Sequence, residues 1–310
     1  MIHRTTQDPV VPICSRPGRR QRARWICGLL ALLSWALVAP ANEGTVIRHL
    51  LSFPERGNQY LHVEAVWPAE DDFLELTMPA WAPGSYVIRD FAAHVEGMQA
   101  RDSDGRERTV RKVAKNRWRI EAAQAAELTV SYDVWAGELN VASPWVEADG
   151  ALLNGAGIFL YNEVSRGLPQ EVILQLPAGW SNVETSLQRR DASAALRARD
   201  FDELVDSPIV VGTLERHAFR VRGRPYALVF PSGNTLWDAA RAREDVAKIV
   251  EAHQEFWDAD PFQREYLFLN FFMGPFGGLE HDHSTVMMLS LIHISEPTRP
   301  FTLSRMPSSA

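Results

Sequence analysis

Leu61-His62-Val63-Glu64-Ala65-Val66-Trp67 exchanges apolar for polar side chains at almost every step. A period of two places every second side chain on one face of an extended chain, as a half-buried antiparallel strand requires. The pattern returns in Phe73-Leu74-Glu75-Leu76, in Arg117-Trp118-Arg119-Ile120 and in Leu128-Thr129-Val130-Ser131-Tyr132-Asp133-Val134. Turn formers fall between such runs: Pro68, Pro83-Gly84, Asp104-Gly105 and Pro177-Ala178-Gly179. Short strands spaced by turns from Thr45 to about Val211 predict a mainly β domain, an antiparallel sandwich or a large curved sheet.

The pattern changes near Ser232. Val246, Ile249, Val250, His253, Phe256 and Trp257 share one face at helical spacing, which predicts a helix from Thr235 to Trp257. Asn234 is its expected N-cap, Asp260-Pro261 closes it, and His253 is read as a core histidine. A strand follows at Tyr266–Met273. The expected organisation is therefore a β-rich domain over residues 42–210 and a second domain over 211–288.

The chain has 310 residues, of which 46% are hydrophobic and 23% charged, which excludes disorder, collagen and coiled coil as readings of the whole. Its N-terminus carries a basic run, Arg16, Arg19, Arg20, Arg22 and Arg24, then apolar Trp25 to Val38, then Ala39-Pro40-Ala41. These are the parts of a secretory signal peptide over residues 1–41, and the apolar stretch falls short of the roughly 20 residues that span a bilayer. An exported chain, periplasmic or secreted and with no stable membrane span after cleavage, is the expectation. Cys14 and Cys27 both precede the cut, so the mature chain would hold no disulfide and no thiolate metal site. Beyond residue 41 the chain has 26 basic against 38 acidic side chains, a net −12. Such a surface repels phosphate backbones, and nucleic acid is not an expected partner.

Two segments carry candidate chemistry. In Met78-Pro79-Ala80-Trp81-Ala82-Pro83-Gly84-Ser85-Tyr86-Val87-Ile88-Arg89-Asp90-Phe91, Trp81 and Tyr86 flank a Pro-Gly turn. The segment reads either as a structural corner packed by its aromatics or as the rim of a binding site. The second is Gly277-Gly278-Leu279-Glu280-His281-Asp282-His283-Ser284. His281-x-His283 with flanking carboxylates is a possible divalent-metal site, although the two histidines would point to opposite faces of an extended chain. Alternatively, glycines admit a ligand close to the backbone and a buried Glu280 holds an ammonium; the remaining reading is a polar surface loop.

Taken together, Met78–Phe91, Asp206-Ser207-Pro208, the Tyr266–Met273 strand and Gly277-Gly278-Leu279-Glu280-His281-x-x-Ser284 resemble the glycyl aminopeptidase family. That resemblance covers about Thr45 to Met288. It implies a zinc metallopeptidase with a β-rich N-terminal domain, a thermolysin-like catalytic domain whose first α/β elements lie in 211–288, and usually a C-terminal PDZ domain. By similarity, Glu280 would hold the substrate's free α-amine, and Gly277, Gly278 and Leu279 would form the strand edge that aligns the peptide. The same resemblance assigns His281 no role beyond its place after the glutamate. The implied partners are peptides with a free N-terminus.

One family element is missing. Its zinc is gripped by H-E-x-x-H, and none of the nine histidines is followed by Glu or lies four residues from another. No catalytic residue and no zinc ligand is therefore expected here, and this chain should bind no zinc and hydrolyse nothing. Leu289 to Arg299 resembles the in-frame translation of a transposase-based sequencing adapter, which makes residues 289–310 an expected non-native tail. The rival expectations are a non-catalytic exported β-sandwich that binds peptide or glycan through Trp81 and Tyr86, and a natural pseudoenzyme fragment.

Overall fold

A computed structural model describes residues 44–189, 195–233, 237–259, 262, 264–274 and 276–289. The signal peptide and its cleavage site, both cysteines, Asn234, Asp260-Pro261 and the tail from Ser290 lie outside the described residues.

The alternating runs fold as strands at their expected places. Strand Tyr60–Pro68 buries Leu61, Val63, Ala65 and Trp67, and strand Glu127–Trp135 buries Leu128, Val130, Tyr132 and Val134. The two pair antiparallel, with Val63 opposite Tyr132 and Trp67 opposite Leu128, so their apolar faces coincide. They sit within an eight-stranded sheet in which Ile47–Ser52 runs antiparallel to Tyr60–Pro68 and parallel to Gln170–Gln175. A three-stranded sheet of Phe73–Thr77, Arg117–Glu121 and Val110–Ala114 adds Leu74, Leu76, Trp118 and Ile120 to the same core. Each large side chain buried there contributes roughly 1.5–3 kcal/mol. The fold is mainly β, as expected.

A four-stranded sheet, in the order Asn182–Thr185, Ile209–Gly212, Gly150–Leu153 and Trp145–Val146, explains the apolar run Ile209-Val210-Val211. Alternation sends Ile209 and Val211 into the large core, while Val210 joins Leu152 in a second cluster with Leu267, Leu269, Val286 and Met288. A strand buried on both faces has no use for polar residues.

Beyond it, Leu214–Val221 and Arg224–Pro231 form a hairpin. Helix Ala239–Trp257 then connects Arg224–Pro231 to a strand parallel to it, Tyr266–Phe271, as parallel pairing requires a crossover. Ser284–Met288 adds a further parallel strand, and Gly277–Glu280 turns back antiparallel to it at the edge of this five-stranded sheet.

The helix departs from expectation in two respects. Its N-cap is Asp238, whose side chain accepts the Arg241 N–H at 3.0 Å. Its packed flank is formed by Val246, Ala247, Val250 and Gln254, whereas Ile249, His253, Phe256 and Trp257 are exposed. Gln254 donates from Nε2 to the Tyr226 hydroxyl at 3.0 Å, and Ala247 and Val250 pack against the cluster around Val221, Tyr226 and Tyr266. That polar anchor and the small Ala247 turn the helix away from its most apolar arc. His253 is not a core histidine.

Candidate functional site

The Met78–Phe91 segment is pinned by buried Met78, Ala82 and Phe91. Within it the Ser85 N–H bonds the Ala82 carbonyl at 3.0 Å across a turn in which Gly84 has φ +81°, and the Arg89 N–H returns to the Ala80 carbonyl at 2.7 Å. Trp81 donates from Nε1 to the Ser85 carbonyl at 2.6 Å yet stays 46% exposed, and Tyr86 is fully exposed. The corner is thus packed by Met78, Ala82 and Phe91, not by the flanking aromatics, which face solvent.

Gly277-Gly278-Leu279-Glu280 is a strand. His281, Asp282 and His283 form the tight turn into Ser284–Met288, closed by the His281 N–H to the Ser284 carbonyl at 2.8 Å. In an antiparallel pair, hydrogen-bonded and non-bonded positions alternate. Leu279, opposite Val286, is therefore a bonded position, and the backbone groups of Gly278 and Glu280 point to the free edge of the sheet. The Leu279 side chain is buried in the large β core, while Glu280 is exposed on the opposite face, not buried as one sequence reading required. Gly278 shares that face, and a β-carbon there would stand 3.4 Å from Oε1 of Glu280. The free edge is covered at one end, where Gly84 meets the Glu280 carbonyl. The two segments singled out in the sequence thus adjoin.

Asp206 was quoted in the sequence without a role, and it joins this surface. Its Oδ1 accepts from Nδ1 of His281 at 2.9 Å and its Oδ2 accepts the Asp282 N–H at 3.0 Å. Burial pushes the Tyr266 hydroxyl well above the usual tyrosine range, and the negative charges of Glu280 and Asp206 push it further. The three groups therefore share one neighbourhood. Tyr266 keeps its proton and donates to the Ser284 carbonyl at 3.1 Å.

Alongside runs a cleft of about 590 Å³. Its lining includes the apolar Trp81, Pro83, Tyr161 and Phe201 and the polar Asp206, Asp282 and His283. Glu203 also lines it, held at 3.0 Å by Nε of Arg199 and at 2.8 Å by Arg264. Burial alone would raise Glu203, but the Arg199 N–H and the two guanidiniums outweigh it and hold the carboxyl below its ordinary range.

These side chains do not fit a zinc centre. The only polar contact of the buried His281 ring is Asp206 on Nδ1, and His283 pairs with Asp282 at 3.4 Å. Among the described residues no group of three or more His, Cys, Asp and Glu side chains is placed to hold a metal. No helix among them is long and apolar enough to cross a membrane.

A mixed β architecture with a Gly-Gly-x-Glu edge strand places the chain in the class of mainly β proteins. More particularly, residues 49–213 match the Peptidase M61 N-terminal domain, and the chain belongs to that family. Among solved structures it is similar to an aminopeptidase N family protein from Idiomarina loihiensis, at 31% identity and a TM-score of 0.73. That similarity covers 78% of this chain and 42% of that one, so this chain spans less than half the length of the relative. More distant are an M1 zinc metallopeptidase from Deinococcus radiodurans (15% identity, TM-score 0.46) and a mutant of it bound to a Tyr-Ser-Ala substrate (13%, 0.47). Each of these two covers 78% of this chain and 59% of its own length. No curated protein sequence matches.

Proposed function

We propose that this chain is the amine-recognising part of an exported zinc aminopeptidase of the glycyl aminopeptidase type, acting on peptides with a free N-terminus. In this reading Glu280 receives the α-ammonium in a charge-assisted bond, and the strand of Gly277, Gly278 and Leu279 aligns the peptide by strand addition at its free edge, where the backbone groups of Gly278 and Glu280 are open. The observation that carries it is the placement of an exposed carboxylate on an open sheet edge whose neighbouring residue, Gly278, has no side chain to cover it. Asp206 and Asp282 add negative charge nearby, which favours a cationic ligand. Zinc, in the whole enzyme, would supply an activated water; this sequence holds no H-E-x-x-H, and in this reading the chain by itself is inactive and retains no zinc. Export rests on the arginine run and the Ala39-Pro40-Ala41 site, and N-terminal sequencing of exported material should find Asn42 first.

The test uses the enzyme completed through its zinc helix. Stranding one partner of a desolvated charge pair costs roughly 2–5 kcal/mol. Glu280→Gln should therefore lower kcat/KM by about thirtyfold or more, at 1.36 kcal/mol per tenfold. Zinc content should stay unchanged, and N-acetylated substrates, which offer no ammonium, should be insensitive to the change. Loss of zinc in Glu280→Gln would make Glu280 a metal ligand; unchanged cleavage of free-amine substrates would end the anchor assignment. A second reading, a non-catalytic binder of peptide or glycan, is favoured by the exposure of Trp81 and Tyr86.

A further inference from the structure

The His281 side chain is wholly buried, yet its Nε2 has no hydrogen-bond partner. A buried polar atom left unpaired keeps its full desolvation cost, so an apolar residue would fill this space more cheaply. What an apolar residue cannot do is reach Asp206. A carboxylate only accepts, so Nδ1 carries the proton and donates to Oδ1 at 2.9 Å. The second oxygen of the same carboxylate takes the Asp282 N–H at 3.0 Å. Asp206 itself is firmly mounted. It caps the Phe201–Val205 helix, with its N–H bonded to the Asp202 carbonyl at 3.1 Å, and it stands three residues before the wholly buried strand Ile209–Gly212.

We propose that Asp206 and His281 are a positioning pair that fixes the backbone from which Glu280 presents its carboxylate. The proposal rests on the reading of Glu280 as the ammonium anchor. Glu280 is held from both neighbours. Leu279 on one side is locked in the β core, with its carbonyl accepting the Thr285 hydroxyl at 3.3 Å. His281 and Asp282 on the other are locked to Asp206. With both flanks fixed, the one free choice is the rotamer of Glu280, which the missing side chain of Gly278 leaves open. Asp206 does not touch the ammonium in this arrangement; it acts through the backbone of the turn.

The experiment is an amide-resolved NMR titration of this chain with glycinamide, which has an α-ammonium and no carboxylate, and with N-acetylglycinamide as the control. Wild type should give saturable shifts at Gly278 and Glu280 with glycinamide alone. His281→Ala should weaken that binding at least fivefold at unchanged Tm. His281→Asn, which offers an N–H donor near the place of Nδ1, should recover most of it, a rescue that simple filling of space would not give. Asp206→Ala should weaken binding at least as much as His281→Ala, since it also removes a negative charge. Wild-type affinity in His281→Ala and Asp206→Ala, or no recovery in His281→Asn, overturns the pair. Binding that survives Glu280→Gln, or is equal for the acetylated probe, overturns the anchor instead. Should glycinamide give no shifts, hydrogen exchange decides: Asp206→Ala should speed exchange at the bonded amides of Asp282 and His281 at least tenfold while strand Tyr60–Pro68 is unchanged. Unaltered exchange at those two amides then rejects the pair.

Discussion

The backbone of Gly84 lies so close to the carbonyl oxygen of Glu280 that a β-carbon on Gly84 would stand 2.7 Å from it. One end of the Gly277–Glu280 edge is thereby closed by the Pro83-Gly84 turn, and Leu279 packs against the same turn, 3.1 Å from that position through Cδ1. The β-rich part of the chain thus delimits the segment of open edge that a ligand can use. Trp81 and Tyr86 are carried on the same loop and are exposed.

Gly84→Ala should be the most damaging single methyl group on this surface. The position has φ +81°, which costs an L-residue about 1–2 kcal/mol, and its β-carbon would meet a backbone oxygen that cannot rotate away. Urea unfolding should register a loss of at least about 2 kcal/mol. A loss below about 0.5 kcal/mol would mean that the turn and the strand do not hold their contact in solution.

Gly278 is needed for space and not for an unusual backbone, since its φ is not positive. A valine there suits a strand but would crowd the Glu280 carboxylate, with its β-carbon already at 3.4 Å from Oε1. Gly278→Val should weaken glycinamide binding at least tenfold with Tm preserved. Gly277→Ala, which meets Val141 at an ordinary 3.6 Å, should leave binding within twofold. Equal effects of the two substitutions would show that Glu280 does not occupy the space over Gly278.

What the sequence disclosed follows from the range of each interaction. Strands such as Leu61–Trp67 and Leu128–Val134 were legible because alternation is local and both bury one face in a single core. The helix was legible as an element but not as a surface: its apolar residues cover a wide arc, and which part is buried is decided by the Gln254–Tyr226 bond, which periodicity does not encode. The Tyr266 strand ends at Phe271, two residues earlier than its apolar run. The Gly-Gly-Leu-Glu edge came from family resemblance, since two glycines read locally as a loop. Asp206 was unreadable as a partner of His281, because only the folded chain brings two distant segments together.

Tyr86 offers a test of the surface that does not depend on Glu280. Its side chain is fully exposed, so Tyr86→Ala should change the unfolding free energy by no more than about 0.5 kcal/mol. Should the loop border a peptide site, the same substitution should weaken binding of a free-amine tripeptide several-fold while leaving glycinamide, which is too short to reach it, unaffected. Equal losses for both probes would place Tyr86 at the amine itself. Loss of binding to an oligosaccharide, with peptides unaffected, would favour the glycan-binding alternative.

The last prediction concerns pH and the β core. His49 is fully buried in strand Ile47–Ser52, edge-on to Phe159 at 4.9 Å and to Trp67 at 6.0 Å. Its Nε2 lies 3.0 Å from Oε1 of Gln170, whose own Nε2 donates to the Leu168 carbonyl at 2.8 Å. The Gln170 oxygen can only accept, so Nε2 carries the proton and Nδ1 is bare, without a partner. Burial pulls the histidine down to about 4, against a partial upward pull from the Gln170 bond. Below about pH 6.5 the unfolded chain takes up a proton here that the folded chain refuses, so stability falls as pH falls, until the folded histidine also charges near pH 4. At 1.36 kcal/mol per unit the whole loss is roughly 3 kcal/mol, all of it between these two values. Urea unfolding of wild type and His49→Gln at pH 7, 6, 5 and 4.5 isolates this contribution from that of the carboxylates, which both proteins share. The difference in unfolding free energy should shift in favour of His49→Gln by about 2 kcal/mol or more between pH 7 and pH 4.5. Parallel pH profiles for the two proteins would mean that the histidine is solvated or already charged in the fold, and that the core around Trp67 is looser than its geometry implies.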